Sequence, residues 1–229
     1  MTAVVFDLDN TLYAEKDAKV AGECAIAEAL THDLATDVPT ALDLFIAAKS
    51  RVLARRDLGP LRGERWRWVN ELLDDEPRAR ELHDLYWDTV LARIVPYADA
   101  LIALPLLRQE HASLWIATNE HEAVQARKLA TLELAHHFDG VISADTVGHE
   151  KPSAEFFAHL ADVIGHDDAG DVLFVGDNPN TDIVGACAAG HRTAWLRRGE
   201  FAKIDLTTIP GCTPTHQIDH LTELVALVR

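Results

Sequence analysis

The sequence predicts an α/β fold: a Rossmann-like parallel sheet with helices on both faces, into which an all-helical cap is inserted. Short, wholly apolar runs alternate with helix-period segments through the C-terminal part of the chain. The first such run is followed instead by a long helical stretch with no strand in it. Acidic and hydroxyl residues gather just after the runs, where open parallel sheets carry their ligands.

Ala3 to Phe6 is a β-branched and aromatic run ending at Asp7, the pattern of a strand buried on both faces. From Glu15 to Arg93 the apolar period becomes helical, with breaks at Gly59-Pro60 and Glu76-Pro77, so this block reads as roughly four helices. Residues 15–95 are therefore taken as an inserted helical domain, and residues 1–14 with 96–229 as the core. After Pro96 the pattern alternates: helix Asp99 to Gln109, strand Ser113 to Ala117, helix His121 to Thr131, strand Gly140 to Ile142 and helix Ala154 to Ile164. Strand Val172 to Val175, helix Thr181 to Ala189, strand Arg192 to Leu196 and a closing helix from Asp219 to Leu227 complete it.

In 229 residues the chain is 48% hydrophobic and 25% charged, which suffices for a buried core and excludes a disordered or fibrous protein. Its 21 basic against 37 acidic residues give a net charge of −16, which argues against nucleic acid or an anionic membrane as partner. The most apolar stretch, Ala100 to Leu107, falls well short of the roughly 20 residues that cross a bilayer. Asp7 also interrupts the region where a signal peptide would be apolar, so a cytoplasmic protein is expected. Cys24, Cys187 and Cys212 are odd in number and far apart and show no C-x-x-C spacing, which agrees with that compartment. Nothing in the pattern sets an oligomeric state.

Reading the ends of the strands places Asp7-Leu8-Asp9-Asn10-Thr11, Thr118-Asn119, Lys151-Pro152 and Gly176-Asp177 through Asp182 on one edge. Four carboxylates brought together there, Asp7, Asp9, Asp177 and Asp182, raise one another's pKa unless a cation neutralises them. Oxygen donors without His or Cys suit Mg²⁺, which keeps open positions for water and phosphate oxygens. Thr118 offers a hydroxyl, Asn119 an amide and Lys151 a positive charge, a set suited to binding a phosphoryl group. An EF-hand calcium loop is excluded, because Leu12 and Ala18 stand where glycine and a bidentate glutamate are required.

These four motifs, in this order from Asp7 to Asp182, resemble the haloacid dehalogenase superfamily of aspartate-nucleophile phosphohydrolases. The resemblance implies that Asp7 is the nucleophile and Asp9 the general acid and base, with Thr118 and Lys151 catalytic and phosphate-binding and Asn119 phosphate-binding. It implies Mg²⁺ held by the Asp7 carboxylate, the Asp9 main-chain carbonyl and Asp177, with Asp182 holding a metal-bound water. The superfamily's dehalogenases lack the second acid because a halide leaves without a proton, so Asp9 favours phosphatase chemistry. The helical block falls where the family places its cap, and the stretch between Asn119 and Lys151 leaves no room for a second large one. A small phosphorylated metabolite, of nucleotide or sugar phosphate class, is the expected substrate. A phosphomutase, or a non-catalytic phospho-ligand binding protein on the same fold, is the alternative.

Within the cap, Arg51, Arg55, Arg62 and Arg65 fall at helical spacing and read as a solvated outer face. Arg62, Arg65 and Trp66 remain candidates for reading the leaving group. Trp66 and Trp68 cannot share one helix face, so one is expected in the core and the other at a surface or substrate contact.

Overall fold

The computed structural model describes residues 2–165, 168–209 and 211–228 and divides into two compact units, Met1–Ala14 with Val95–Arg229, and Glu15–Ile94. The first is built on six strands: β1 (Ala3–Phe6), β2 (Ser113–Thr118), β3 (Gly140–Ser143), β4 (Val172–Gly176), β5 (Arg192–Leu196) and β6 (His216–Ile218). They pair in the order β3-β2-β1-β4-β5-β6, every pair parallel. β1 lies between β2 and β4, in register Ala3 with Ser113 and Val172, and all four of its residues are fully buried. That explains why it carries no alternation: both faces are covered. Strand order reverses beside β1, since β2 and β4 lie on opposite sides of it, and a crevice opens at the strand ends of such a point.

Numbered along the chain, the helices of this unit are α5 (Ala98–Gln109), α6 (Glu122–Thr131), α7 (Ala144–Val147), α8 (Ala154–Ile164), α9 (Val184–Ala188) and α10 (Leu224–Leu227). Differences from the expected elements are local. β6 was not expected, and the closing helix is shorter, a 3₁₀ turn at Leu221–Glu223 leading into α10. The expected helix from Thr181 is instead a π-helical turn, Pro179–Ile183, followed by α9. Phe156, Phe157 and Leu160 of α8 pack with Val172 and Phe174 of β4 and Ala186 of α9. Cys187 and Cys212, 25 residues apart in sequence, form a disulfide with a Cα–Cα distance of 6.0 Å. Among the described residues no helix is long and apolar enough to cross a membrane.

The second unit is four helices, α1 (Lys16–Leu34), α2 (Val38–Leu53), α3 (Arg65–Leu73) and α4 (Glu76–Leu91), with a 3₁₀ segment at Arg56–Gly63. α1 packs on α2 and α4, and α3 on the same pair, around Ile26, Leu30, Phe45, Leu82 and Tyr86. Gly59, at φ +53, makes the expected break. The break expected at Glu76-Pro77 is where α3 gives way to α4: Pro77 sits in the first turn of α4, where a missing N–H costs nothing, and Asp75 caps that helix by accepting from Arg78 N. Arg51 and Arg55 are exposed, as their spacing implied, and pair with Glu71 and Asp57. Arg65 is not on a solvated face: it is buried, with its guanidinium 4.5 Å from the Trp87 ring centroid and 4.9 Å from that of Trp68. Trp66 and Trp68 are both buried, because the neighbouring arginines, Arg65 among them, cover the rings that helical spacing alone would leave outside.

Close packing of α9 on α8 gives a stability test. A Cβ at Gly185 would lie 2.1 Å from Phe157 Cε2, so Gly185→Ala is expected to lower the unfolding free energy by about 1–3 kcal/mol in urea titrations. An unchanged midpoint would show that the ring has room to move.

Candidate active site

Asp7 follows β1 directly, and its main-chain N–H donates to Val175 O on β4 at 2.8 Å, extending the ladder one residue past the strand. Its carboxylate oxygens receive Lys151 Nζ at 2.8 Å and Thr11 Oγ1 at 3.4 Å. Lys151 is almost fully buried, and its ammonium is shared among Asp7 Oδ1 at 2.8 Å, Asp182 Oδ1 at 2.8 Å and Ala117 O at 2.7 Å. Burial works against that charge, but the two carboxylates outweigh it and hold the lysine above its ordinary range.

Asp182 reaches the cluster because the residue preceding Asp177 is glycine. A Cβ on Gly176 would lie 2.2 Å from Asp182 Oδ2. The π-helical turn brings Asp182 back over the strand end, where its Oδ2 accepts from Asn178 N at 3.2 Å. Asp177 is held by its own backbone, whose carbonyl accepts from Trp195 Nε1 at 3.0 Å. Its buried Oδ2 has no hydrogen-bond partner.

One carboxylate oxygen from each of Asp7, Asp177 and Asp182 falls within 4.8 Å of the others. Burial, with the neighbouring carboxylates, pushes Asp7 up to about 7 and Asp177 up to about 9, Lys151 opposing both shifts. Buried like charges and an orphaned carboxylate oxygen are what a hard divalent cation would satisfy, so the donor set fits Mg²⁺.

Thr118 ends β2. Its Oγ1 accepts from Glu120 N at 3.0 Å and Gln125 Nε2 at 2.6 Å, which directs its own O–H hydrogen elsewhere. Asn119 departs from expectation. Its side chain accepts from Lys151 N at 2.7 Å and donates to Lys151 O at 3.0 Å, so it grips the lysine's backbone instead of presenting an amide to phosphate. Asp9 does not join the three-carboxylate cluster through its side chain. Its Oδ1 receives the Tyr13 hydroxyl at 2.5 Å and Lys128 Nζ at 2.7 Å.

A family of hydrolases, the haloacid dehalogenase-like hydrolases, matches residues 1–190 of this chain. The chain belongs to this family. Within it, the chain is 31% identical to the ribulose-1,5-bisphosphate 5-phosphatase of Halopiger xanaduensis over 99% of each sequence. It is 29% identical to the glyceraldehyde 3-phosphate phosphatase of Methanopyrus kandleri, over 99% of this chain and 97% of that one. A solved HAD phosphatase from Thermococcus onnurineus superposes with a TM-score of 0.75 at 26% identity, covering 100% of this chain and 98% of the other. The protein is a haloacid dehalogenase-like phosphohydrolase.

Sequence reading named neither Gln125 nor Lys128. Both are fully buried on α6, three residues apart on the face that carries Val124 and Leu129. Two polar residues on an apolar stripe, just after the second motif, were the available signal.

The raised carboxylates make cation binding pH-dependent. Without metal, the folded protein keeps protons on Asp7 and Asp177 that the unfolded chain gives up near pH 4. Their contribution to stability is therefore full at low pH and is lost as pH rises through about 7 to about 9. A cation binds the ionised forms, so lowering the pH makes protons compete with it. Mg²⁺ is expected to raise the melting temperature more at about pH 9 than at about pH 6, and to raise that of Asp177→Asn less at both. An equal rise at the two pH values would contradict the assignment.

Proposed function

We propose that this hydrolase is a Mg²⁺-dependent phosphatase that cleaves a small phosphomonoester, of sugar phosphate or nucleotide class, through an aspartyl-phosphate on Asp7. The supporting observation is the Asp7 carboxylate at the end of β1, within 2.8 Å of the Lys151 ammonium and beside Asp177 and Asp182, with a second acid two residues on. Asp7 attacks phosphorus in line, and the bond to the leaving oxygen breaks as Asp9 delivers a proton to it. In the second step Asp9 takes a proton from the water that attacks phosphorus, and the Asp7 carboxylate is released. Lys151 and the Thr118 hydroxyl hold the phosphoryl oxygens, and the main-chain N–H groups near Asn119 are further donors.

Asp7, the Asp9 main-chain carbonyl and Asp177 would hold Mg²⁺, with Asp182 acting through a bound water. When bound, the ion supplies neutralisation of the carboxylates and of charge developing on the phosphoryl oxygens. A second acid separates this chemistry from dehalogenation, in which the departing halide needs no proton. The substrate class follows from the relatives named for sugar phosphates and from the helical unit inserted between the first two motifs, which we read as a cap that excludes water and bulky substrates.

The test is phosphate release from ribulose 1,5-bisphosphate, glyceraldehyde 3-phosphate, ribose 5-phosphate and nucleoside monophosphates, with Mg²⁺ or with chelator. Metal-dependent turnover of at least one is expected, abolished in Asp7→Asn and reduced about 10²–10⁴-fold in Asp9→Asn. Turnover that survives in Asp7→Asn, or phosphate moved between positions of a sugar instead of released, would overturn the reading.

A further inference from the structure

Lys128 is fully buried in the first unit, where an aliphatic side chain would pack without the difficulty of removing an ammonium from water. Its Nζ lies 2.7 Å from Asp9 Oδ1, and the hydroxyl of the equally buried Tyr13 meets the same oxygen at 2.5 Å. Gln125, one turn earlier on α6, places its Nε2 3.4 Å from Asp9 Oδ2 and 2.6 Å from Thr118 Oγ1. Both oxygens of one carboxyl group are thus addressed by donors, two from α6 and one from the turn after β1. The same helix face reaches the hydroxyl expected to bind the phosphoryl group.

We propose that Lys128 is a positioning residue for Asp9: with Tyr13 it fixes the orientation of the carboxyl group through Oδ1, while Gln125 ties that group to Thr118. The proposal rests on the reading of Asp9 as proton donor to the leaving oxygen. A donor must lie within hydrogen-bond reach of that oxygen as the P–O bond breaks. A carboxyl group only two residues from the nucleophile, on a turn following the strand, has rotamers that point away from it. A charged donor held in the core by α6 removes that freedom, because a charge-assisted bond to Oδ1 is short and directional. The linkage through Gln125 sets the acid and the phosphoryl-binding hydroxyl at a fixed separation, so the proton donor is in register with the group being transferred.

The consequence is specific to the leaving group. An activated ester departs without a proton, whereas a poor leaving group needs one, so misplacing Asp9 harms the second far more than the first. The experiment compares kcat/KM for p-nitrophenyl phosphate and phenyl phosphate in the full-length wild type, Asp9→Asn, Lys128→Met and Tyr13→Phe, with Mg²⁺ present. Lys128→Met is expected to lose about 10²-fold on phenyl phosphate and at least about tenfold less on p-nitrophenyl phosphate. Asp9→Asn should show the same split, larger, and Tyr13→Phe the same split, smaller. Should thermal melting show that Lys128→Met does not fold, the split in Tyr13→Phe decides the matter, since only a hydroxyl is removed. Equal losses on both esters in a folded Lys128→Met, beside a clear split in Asp9→Asn, would overturn the positioning role alone. An Asp9→Asn with no split would overturn the reading of Asp9 as proton donor and this proposal with it.

Discussion

Three carboxyl groups can share a space 4.8 Å across only when positive charge or bound protons offset their repulsion, and this constraint organises the first unit of the protein. Lys151 supplies one charge from within the core, gripping Asp7, Asp182 and the carbonyl of Ala117 at once. The lysine is aimed by Asn119, which binds both polar groups of its backbone. Asp182 enters because Gly176 leaves room for it, and a π-helical turn carries it there. One lysine does not balance three ionised acids, and burial with neighbouring carboxylates raises both Asp7 and Asp177, whose buried Oδ2 has no hydrogen-bond partner.

The sheet makes this crowding possible. β1 is buried on both faces between β2 and β4, so the ends of three strands deliver Asp7, Thr118 and Asp177 to one place without relying on loop conformation. Side chains from rigid elements then flank the pair of acids differently. Asp7 faces the carboxylate cluster and Lys151, whereas Asp9 faces Tyr13, Lys128 and Gln125. Two acids two residues apart thus meet unlike surroundings.

Most of the fold was legible because parallel strands covered on both faces appear as unbroken apolar runs, as in Ala3 to Phe6 and Val172 to Val175. β6 escaped notice because three residues at a sheet edge carry no period. The helix after Asp177 was drawn too long because a π turn has no distinguishing composition. Asp7, Thr118, Lys151, Asp177 and Asp182 converge as their place after the strands implied. Arg65 was misjudged because a charged side chain named from sequence is assumed to face solvent or ligand, yet this one faces three aromatic rings. Lys128 and Gln125 were overlooked through the converse assumption, that a helix stripe turned inward is apolar.

The claim that most needs direct examination is that Asp7 itself takes the phosphoryl group. Rapid-quench mass spectrometry of the enzyme during turnover, followed by acid digestion and peptide mapping, addresses it without reference to substrate preference. The account predicts a transient mass increase of one phosphoryl group, acid-stable but labile to base and hydroxylamine, confined to the peptide that carries Asp7. Turnover with no phosphorylated enzyme at any time point when the chemical step is rate-limiting for decay, or a phosphoryl group mapped to another residue, would contradict it.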